Sequence, residues 1–202
     1  MRQHLLTGIL LAATLLMLVS LRTLAQNYPS VELSGGFSYL HAQGGGNLYG
    51  WDASVANNFN RWFGVAGEFS GHYGSNDAFA TPIAVPVPFP PATFSISSNS
   101  NVYTFLFGPR FSYRKDKRLT PFGHVLAGFA RSGFSVNVSA PPFSSHISSS
   151  STAFAMAMGG GVDVRLNTSF GFRLIQADYL LTHFGGTKQN NARITTGLVY
   201  RF

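Results

Sequence analysis

Asn191-Ala192-Arg193-Ile194-Thr195-Thr196-Gly197-Leu198-Val199-Tyr200-Arg201-Phe202 is the stretch that decides the fold. Ile194, Thr196, Leu198, Tyr200 and Phe202 share one parity, and Arg193, Thr195, Gly197, Val199 and Arg201 share the other, which is the two-residue period of a β-strand. One face is apolar and ends in aromatics. The other carries two arginines and a glycine, so the first suits an oily surrounding and the second tolerates charge. A strand left at an edge exposes its backbone donors and acceptors unless it is paired, covered or closed. Closure on the first strand of the chain is the expected solution.

The same division of faces recurs through the preceding sequence. Over 31–40, Val31, Leu33, Phe37 and Tyr39 oppose Glu32, Ser34, Gly36 and Ser38; over 48–56, Tyr49, Trp51, Ala53 and Val55 oppose Gly50, Asp52 and Ser54. Over 62–73, Phe63, Val65, Phe69 and Tyr73 oppose Gly64, Ala66, Glu68, Ser70 and His72. Over 102–113, Tyr103, Phe105, Phe107, Phe111 and Tyr113 oppose Thr104, Gly108, Arg110 and Ser112. Over 154–166, Phe154, Met156, Met158, Val162 and Val164 oppose Ala155, Ala157, Gly159, Gly161, Asp163 and Arg165. Two segments read less cleanly. In 120–131, Phe122 and His124 share a parity while Val125, Ala127 and Phe129 share the other. In 170–182, Arg173 opposes Gln176 and Asp178, which requires either a bulge or an arginine at the membrane interface.

With the closing strand the count is eight, and the links supply an independent test. Short turns at 57–61, 114–119 and 167–169 alternate with longer links at 41–47, 74–101, 132–152 and 183–191, the asymmetry of a meandering membrane barrel with periplasmic turns and extracellular loops. Composition agrees: 45% of residues are hydrophobic and 10% charged, far below the charge a soluble domain shows to water. A soluble eight-stranded barrel turns its bulky apolar face inward around a ligand. Here the face bearing acids and arginines is otherwise small, which suits a narrow interior, and the aromatic face suits lipid. Tyr39, Trp51, Tyr73, Tyr103, Tyr113 and Tyr200 are expected in the aromatic girdles. The fold class is therefore all-β, an eight-stranded antiparallel up-and-down transmembrane β-barrel spanning residues 26–202.

Residues 1–25 have a basic start at Arg2, an apolar run over 5–21 and Thr23-Leu24-Ala25, the pattern of a secretory signal cleaved after Ala25. The formal charge of +7 does not indicate nucleic acid, because the bases are scattered or gathered in the turn Arg114-Lys115-Asp116-Lys117-Arg118 without a stripe of stacking aromatics. No cysteine is present, in keeping with an exported protein that does without disulfides.

The leader, the alternating strands, Gly50-Trp51-Asp52-Ala53-Ser54-Val55, Phe63-Gly64-Val65-Ala66-Gly67-Glu68-Phe69 and the ending Thr195-Thr196-Gly197-Leu198-Val199-Tyr200-Arg201-Phe202 together resemble the small outer-membrane β-barrel family typified by the transmembrane domain of OmpA and by OmpX. The resemblance implies a place in the bacterial outer membrane, in contact with its lipid. It also implies that Gly197, Tyr200 and Phe202 belong to a signal read by the barrel assembly machinery. OmpA continues into a peptidoglycan-binding domain; the present sequence ends at its eighth strand, so no cell-wall tether is expected.

Fold does not give function. Glu32, Asp52, Glu68, Arg110, Asp163, Arg165, Arg193 and Arg201 are expected to point inward, as an ion-pair network that fills the lumen or as the lining of a narrow polar path. Two barrels of this size modify lipid A, which directs attention to His124, Ser132 and Asp178 as an on-paper nucleophile set, but their levels and faces do not clearly converge. His41, His72 and His183 are expected at the outer rim without ligand-spaced partners, so neither metal nor cofactor is expected. The favoured reading is a structural or surface-interaction role, with a lipid-modifying enzyme or a narrow channel as alternatives. The links 74–101 and 132–152 alternate as strands do, with prolines near the apex of each. They are expected to extend strands three to six above the membrane and to gather Phe94, Ile96, Phe134, Val136, Val138 and Phe143 into an apolar platform open to a surface ligand.

Overall fold

The computed structural model describes residues 28–43, 46–80, 94–116, 118–140, 143–184 and 186–202. The expected signal segment lies outside them. Eight strands follow one another: β1 (Val31–Ala42), β2 (Gly46–Asn58), β3 (Phe63–Ala80), β4 (Phe94–Ser112), β5 (Leu119–Ala140), β6 (Phe143–Arg165), β7 (Phe170–Phe184) and β8 (Thr187–Arg201). Each pairs antiparallel with its neighbour, and β8 closes on β1 with Glu32 opposite Arg201 and Gly36 opposite Gly197. Closure pairs every neighbouring strand, which is what a backbone in hydrocarbon needs.

Following partners around the wall from Leu33 through Val55, Gly67, Phe107, Ala127, Met156 and Leu181 leads to Asn190. Asn190 donates its N–H to the side chain of Gln43, beyond the end of β1 rather than at its start. The strands are therefore steeply tilted, as closure of a sheared sheet demands.

β7 carries the predicted irregularity as a bulge. Leu174 and Ile175 both face outward, the register shifts between Arg173 and Gln176, and Arg173, Gln176 and Asp178 are all buried on the inner side. One extra residue thus reverses the parity of everything beyond it. In β5 the inward set is Phe122, His124, Leu126 and Ala130, and the outward set includes Val125 and Phe129.

The links 74–101 and 132–152 extend the strands they join, as expected. Most of 74–101 and 132–152 is strand, so β3 to β6 run 18, 19, 22 and 23 residues against 12 and 13 for β1 and β2 and 15 each for β7 and β8. The asymmetry between the two ends comes from four long strands. Outward aromatics form a belt at each end, with Tyr39, Tyr49, Tyr73, Tyr103 and Tyr179 near one mouth and Trp62, Phe111, Tyr113, Phe170, Tyr200 and Phe202 near the other.

Candidate functional sites in the lumen and above the membrane

Inside the barrel, five carboxylates meet five guanidinium groups. Towards the short-turn end, Glu32 pairs with Arg110 at 3.1 Å, Arg114 at 3.3 Å and Arg201 at 3.5 Å, while Asp163 pairs with Arg110 at 3.2 Å and Arg173 at 2.8 Å. The Phe122 ring lies between two of these cations, 4.1 Å from the Arg110 guanidinium and 4.6 Å from that of Arg173. Higher up, Arg193 is held by Asp178 at 2.6 Å, by Asp52 at 3.6 Å and by Glu68. Gln176 joins the two groups: its amide N–H donates to Glu68 at 3.0 Å and to Asp178 at 2.8 Å, and its carbonyl accepts from Arg173 at 2.6 Å.

The lower group holds four cations against two carboxylates, and the upper holds one fixed cation against three. Positive charge therefore gathers towards the short-turn end and negative charge towards the other, and only the sum balances. Such a network is favourable when every member is bonded and costly when one is lost.

Arg165 does not join it. Although Arg165 shares the parity of Asp163, it lies two residues further along β6, exposed beyond the rim, with no ion pair among the described residues. Conversely Arg114, Arg173, Gln176, His124 and Asp178 belong to the network without having been assigned to it. The β7 bulge and the ambiguous parity of β5 concealed four of them, and Arg114 reaches in from a turn.

The inward face is also less uniformly small and polar than its sequence suggests. Leu40, Leu48, Leu106, Leu126 and Leu180 are buried inside with Ala130, Ala155 and Ala157. His72 is buried in the lumen rather than at the rim, sharing a hydrogen bond with Ser38 at 2.9 Å, and Ser38 in turn meets Thr195 at 3.0 Å. His41 is exposed at the outer end against Asn47, and His183 is exposed near the end of β7.

Glu68, His124 and Asp178 present ligand atoms within 4.8 Å of one another. Arg193 already contacts both carboxylates, so it supplies the positive charge that an ion would bring. His124 bonds Asp178 at 2.9 Å, but Ser132 stands eight residues further along β5, about 26 Å away at 3.3 Å per residue. The three do not form a nucleophile set.

At the closing seam, a Cβ on Gly197 would lie 2.3 Å from the Gly35 carbonyl oxygen and 2.6 Å from the Gly36 Cα. Glycine is required there by the approach of β1 alone. Tyr200 faces outward, edge-on to Phe170 at 5.0 Å and to Phe202 at 4.7 Å, and the Phe202 N–H donates to the Val31 carbonyl at 2.9 Å.

Above the barrel the polarity of β4, β5 and β6 inverts. Outward Tyr103 in β4 gives way to Asn101 and Asn99, outward Phe129 in β5 to Arg131, Ser135 and Asn137, and outward Phe154 in β6 to Thr152, Ser150 and Ser148. The parity that faces the lumen lower down now carries Ile96, Phe134, Val136 and Val138, joined by Ile147, which the sequence reading had not included. Phe94 opposite Ala80 and Phe143 opposite Ala140 fall on the same backbone parity at the tips. Pairing with β2 stops at Tyr73 and pairing with β7 stops at Ala155, so this extension is a four-stranded sheet with two free edges.

A closed eight-stranded barrel with an aromatic outer band and a charged lumen is now in view, and residues 11–202 match the outer membrane protein beta-barrel domain family. The chain belongs to that family. It is an integral protein of the bacterial outer membrane, with its short turns on the periplasmic side and the four-stranded sheet outside the cell. No curated protein sequence matches it. Among solved structures, it is similar to Ail, the attachment invasion locus protein of Yersinia pestis, in complex with the heparin analogue sucrose octasulfate: 19% identity, TM-score 0.54, covering 85% of this chain and 97% of that one. A second is neisserial surface protein A, with 12% identity and a TM-score of 0.47, covering 88% of this chain and all of the other. At 19% identity the likeness to Ail establishes the fold alone.

Proposed function

We propose that this outer-membrane protein acts through its extracellular sheet as a surface for polypeptide partners, and that the barrel beneath is a filled support rather than a wide pore. The observation that carries the reading is the inversion of polarity above the membrane. A solvated sheet has no use for a row of apolar side chains unless something covers them, and Phe134 and Ile147 are 50% and 65% exposed.

The β6 edge favours an extended peptide. Residues 144–154 have no β7 partner, carry no proline and no fixed charge, and leave a row of backbone groups free for strand addition. An added strand with alternating apolar residues would continue the face at Ile147. Ail is solved with a heparin analogue; a polysulfated ligand fits this chain less well, because the fixed cations at its outer end are Arg131 and Lys188 alone among the described residues.

Support for a filled lumen comes from its packing. The gap bounded by Ser34, Gly35, Asp52, Arg173, Thr195, Gly197 and Leu198 leaves no space for a water molecule. A library of extended twelve-residue peptides, selected on nanodisc-embedded protein, tests the surface. Alternating apolar sequences should be enriched on the native protein and lost on an Ile96→Asn/Phe134→Asn/Ile147→Asn variant. Equal recovery from both would end the proposal.

The closing strand supports a second, separate proposal, that Gly197, Tyr200 and Phe202 are read by the barrel assembly machinery. Deleting Phe202 should lower the inserted fraction in cells while refolding into detergent proceeds normally. An equal defect in both settings would make Phe202 a packing residue only.

A further inference from the structure

We infer that the periplasmic rim carries a binding arc for the phosphate groups of anionic phospholipids in the inner leaflet of the outer membrane, formed by Arg61, Lys115, Arg118 and Arg165. The inference rests on the orientation of the barrel and is independent of what the extracellular sheet binds. All four side chains are exposed. They come from three successive turns that are tied together: Arg61 donates to the Arg114 carbonyl at 3.1 Å, Arg114 donates back to the Arg61 carbonyl at 2.8 Å, and the Arg165 N–H donates to the Arg118 carbonyl at 2.7 Å. The cations thus form one contiguous arc under β2 to β6.

Their height is set by what stands beside them. Arg61 adjoins Trp62, Arg118 adjoins Leu119 and Arg165 adjoins Leu166, and each of these apolar neighbours is exposed on the outer wall, at 60%, 42% and 65%. The Lys115 ammonium lies 5.7 Å from the centre of the Tyr113 ring. Trp and Tyr of a barrel girdle mark the boundary between acyl chains and headgroups. A cation one residue beyond that boundary lies at the level of the lipid phosphates, where opposite charge within a screening length is attractive.

Among the described residues the carboxylate that acts on the arc is the exposed Asp116, whose charge is felt by Arg118. Arg114 is committed to Glu32 in the lumen. The nearby acid, Asp116, accepts the N–H groups of Arg118 at 2.6 Å and Leu119 at 3.3 Å, and no ion pair ties Arg61, Lys115, Arg118 or Arg165 to a described carboxylate. The turn between β6 and β7, Asn167-Thr168-Ser169, adds no charge, so the arc is one-sided.

The two tryptophans of the chain make the test local, because Trp62 adjoins the arc and Trp51 lies towards the extracellular belt, two residues from Tyr49. In liposomes, the Trp51→Phe protein should have Trp62 quenched at a lower mole fraction of brominated phosphatidylglycerol than of brominated phosphatidylcholine. Arg61→Gln with Arg118→Gln should reduce that preference roughly tenfold, and salt at about 0.5 M should weaken it. The Trp62→Phe protein, reporting from Trp51, should show no preference. Identical curves for the two lipids at Trp62, or the same preference at Trp51, would overturn the inference. So would abolition of the preference by inorganic phosphate at constant ionic strength, which would make the ligand a soluble anion. If the arc instead served the cell wall, purified sacculi would pellet the nanodisc-embedded protein through the same arginines and the lipid preference would be missing.

Discussion

The membrane-spanning barrel and the sheet that rises from it share four strands, β3 to β6, in one register, yet they use the inward face of those strands in opposite ways. Within the membrane, the inward side chains of β3 to β6 include Glu68, Arg110, His124 and Asp163, and the opposing wall supplies Glu32, Asp178 and Arg193 to pair with them. Above the membrane the opposing wall ends, and the inward face becomes Ile96, Phe134, Val136, Val138 and Ile147. Charge is placed where it is enclosed, and apolar surface is placed where it is open. A design governed only by water would reverse the two, so each region is specified by what faces it: lipid and a second wall below, a missing partner above.

The comparison is broken most severely by removing an enclosed cation. Arg193→Met leaves Asp52, Glu68 and Asp178 sharing a lumen without their central partner and should cost about 3–5 kcal/mol, read as a lowered unfolding midpoint in detergent. Neutralising Glu68 and Asp178 in the same protein should recover part of the loss. Arg165→Met, beyond the rim, should leave the midpoint in place. Equal effects at the two arginines would mean that the buried network does not hold the barrel together.

A smaller effect is expected at the seam. Gly197→Ala forces a methyl group against the Gly35 carbonyl and should cost about 1–3 kcal/mol through displaced backbone, measured by the same unfolding assay. In the sheet above, Phe134→Asn should change barrel stability by no more than about 0.5 kcal/mol, since it exchanges one exposed side chain for another. A large loss would show that the sheet and the barrel fold as one unit.

The smallest effect concerns the periplasmic turn. The N–H groups of Arg118 and Leu119 hold the Asp116 carboxyl below its ordinary pKa. Its contribution is therefore present above the unfolded carboxylate range and is lost as pH falls through the lowered folded value. Protection of the Arg118 and Leu119 amides, taken relative to their intrinsic exchange rates at each pH, should fall across that acidic window, and Asp116→Asn should flatten the pH dependence. A fall in protection that persists in the variant would assign it to another group.

Much of this was legible in the sequence because a strand's parity is local. The eight segments, the lipid face, the closure of β8 on β1 and the extension of β3 to β6 all follow from alternation and turn placement. Membership of the lumen network does not, because it depends on height as well as side. Arg165 has the correct parity and the wrong level. Arg173 and Asp178 have opposite parities and reach the same interior through the bulge, and Arg114 enters from a turn that no strand period describes. The inward leucines share parity with the charged residues, so the sequence marked their side but not their apolar neighbours across the lumen.

The bulge at Leu174 and Ile175 joins two reading frames of side chains within one strand. Straightening the strand with both residues kept would force one frame to yield, turning either Arg173 towards the acyl chains or Gln176, Asp178 and Leu180 away from their partners, whereas deleting Leu174 or Ile175 would bring Arg173 and Gln176 two apart on one parity. The bulge is thus the splice that lets one strand of this sequence serve the cationic lower lumen and the acidic upper lumen together.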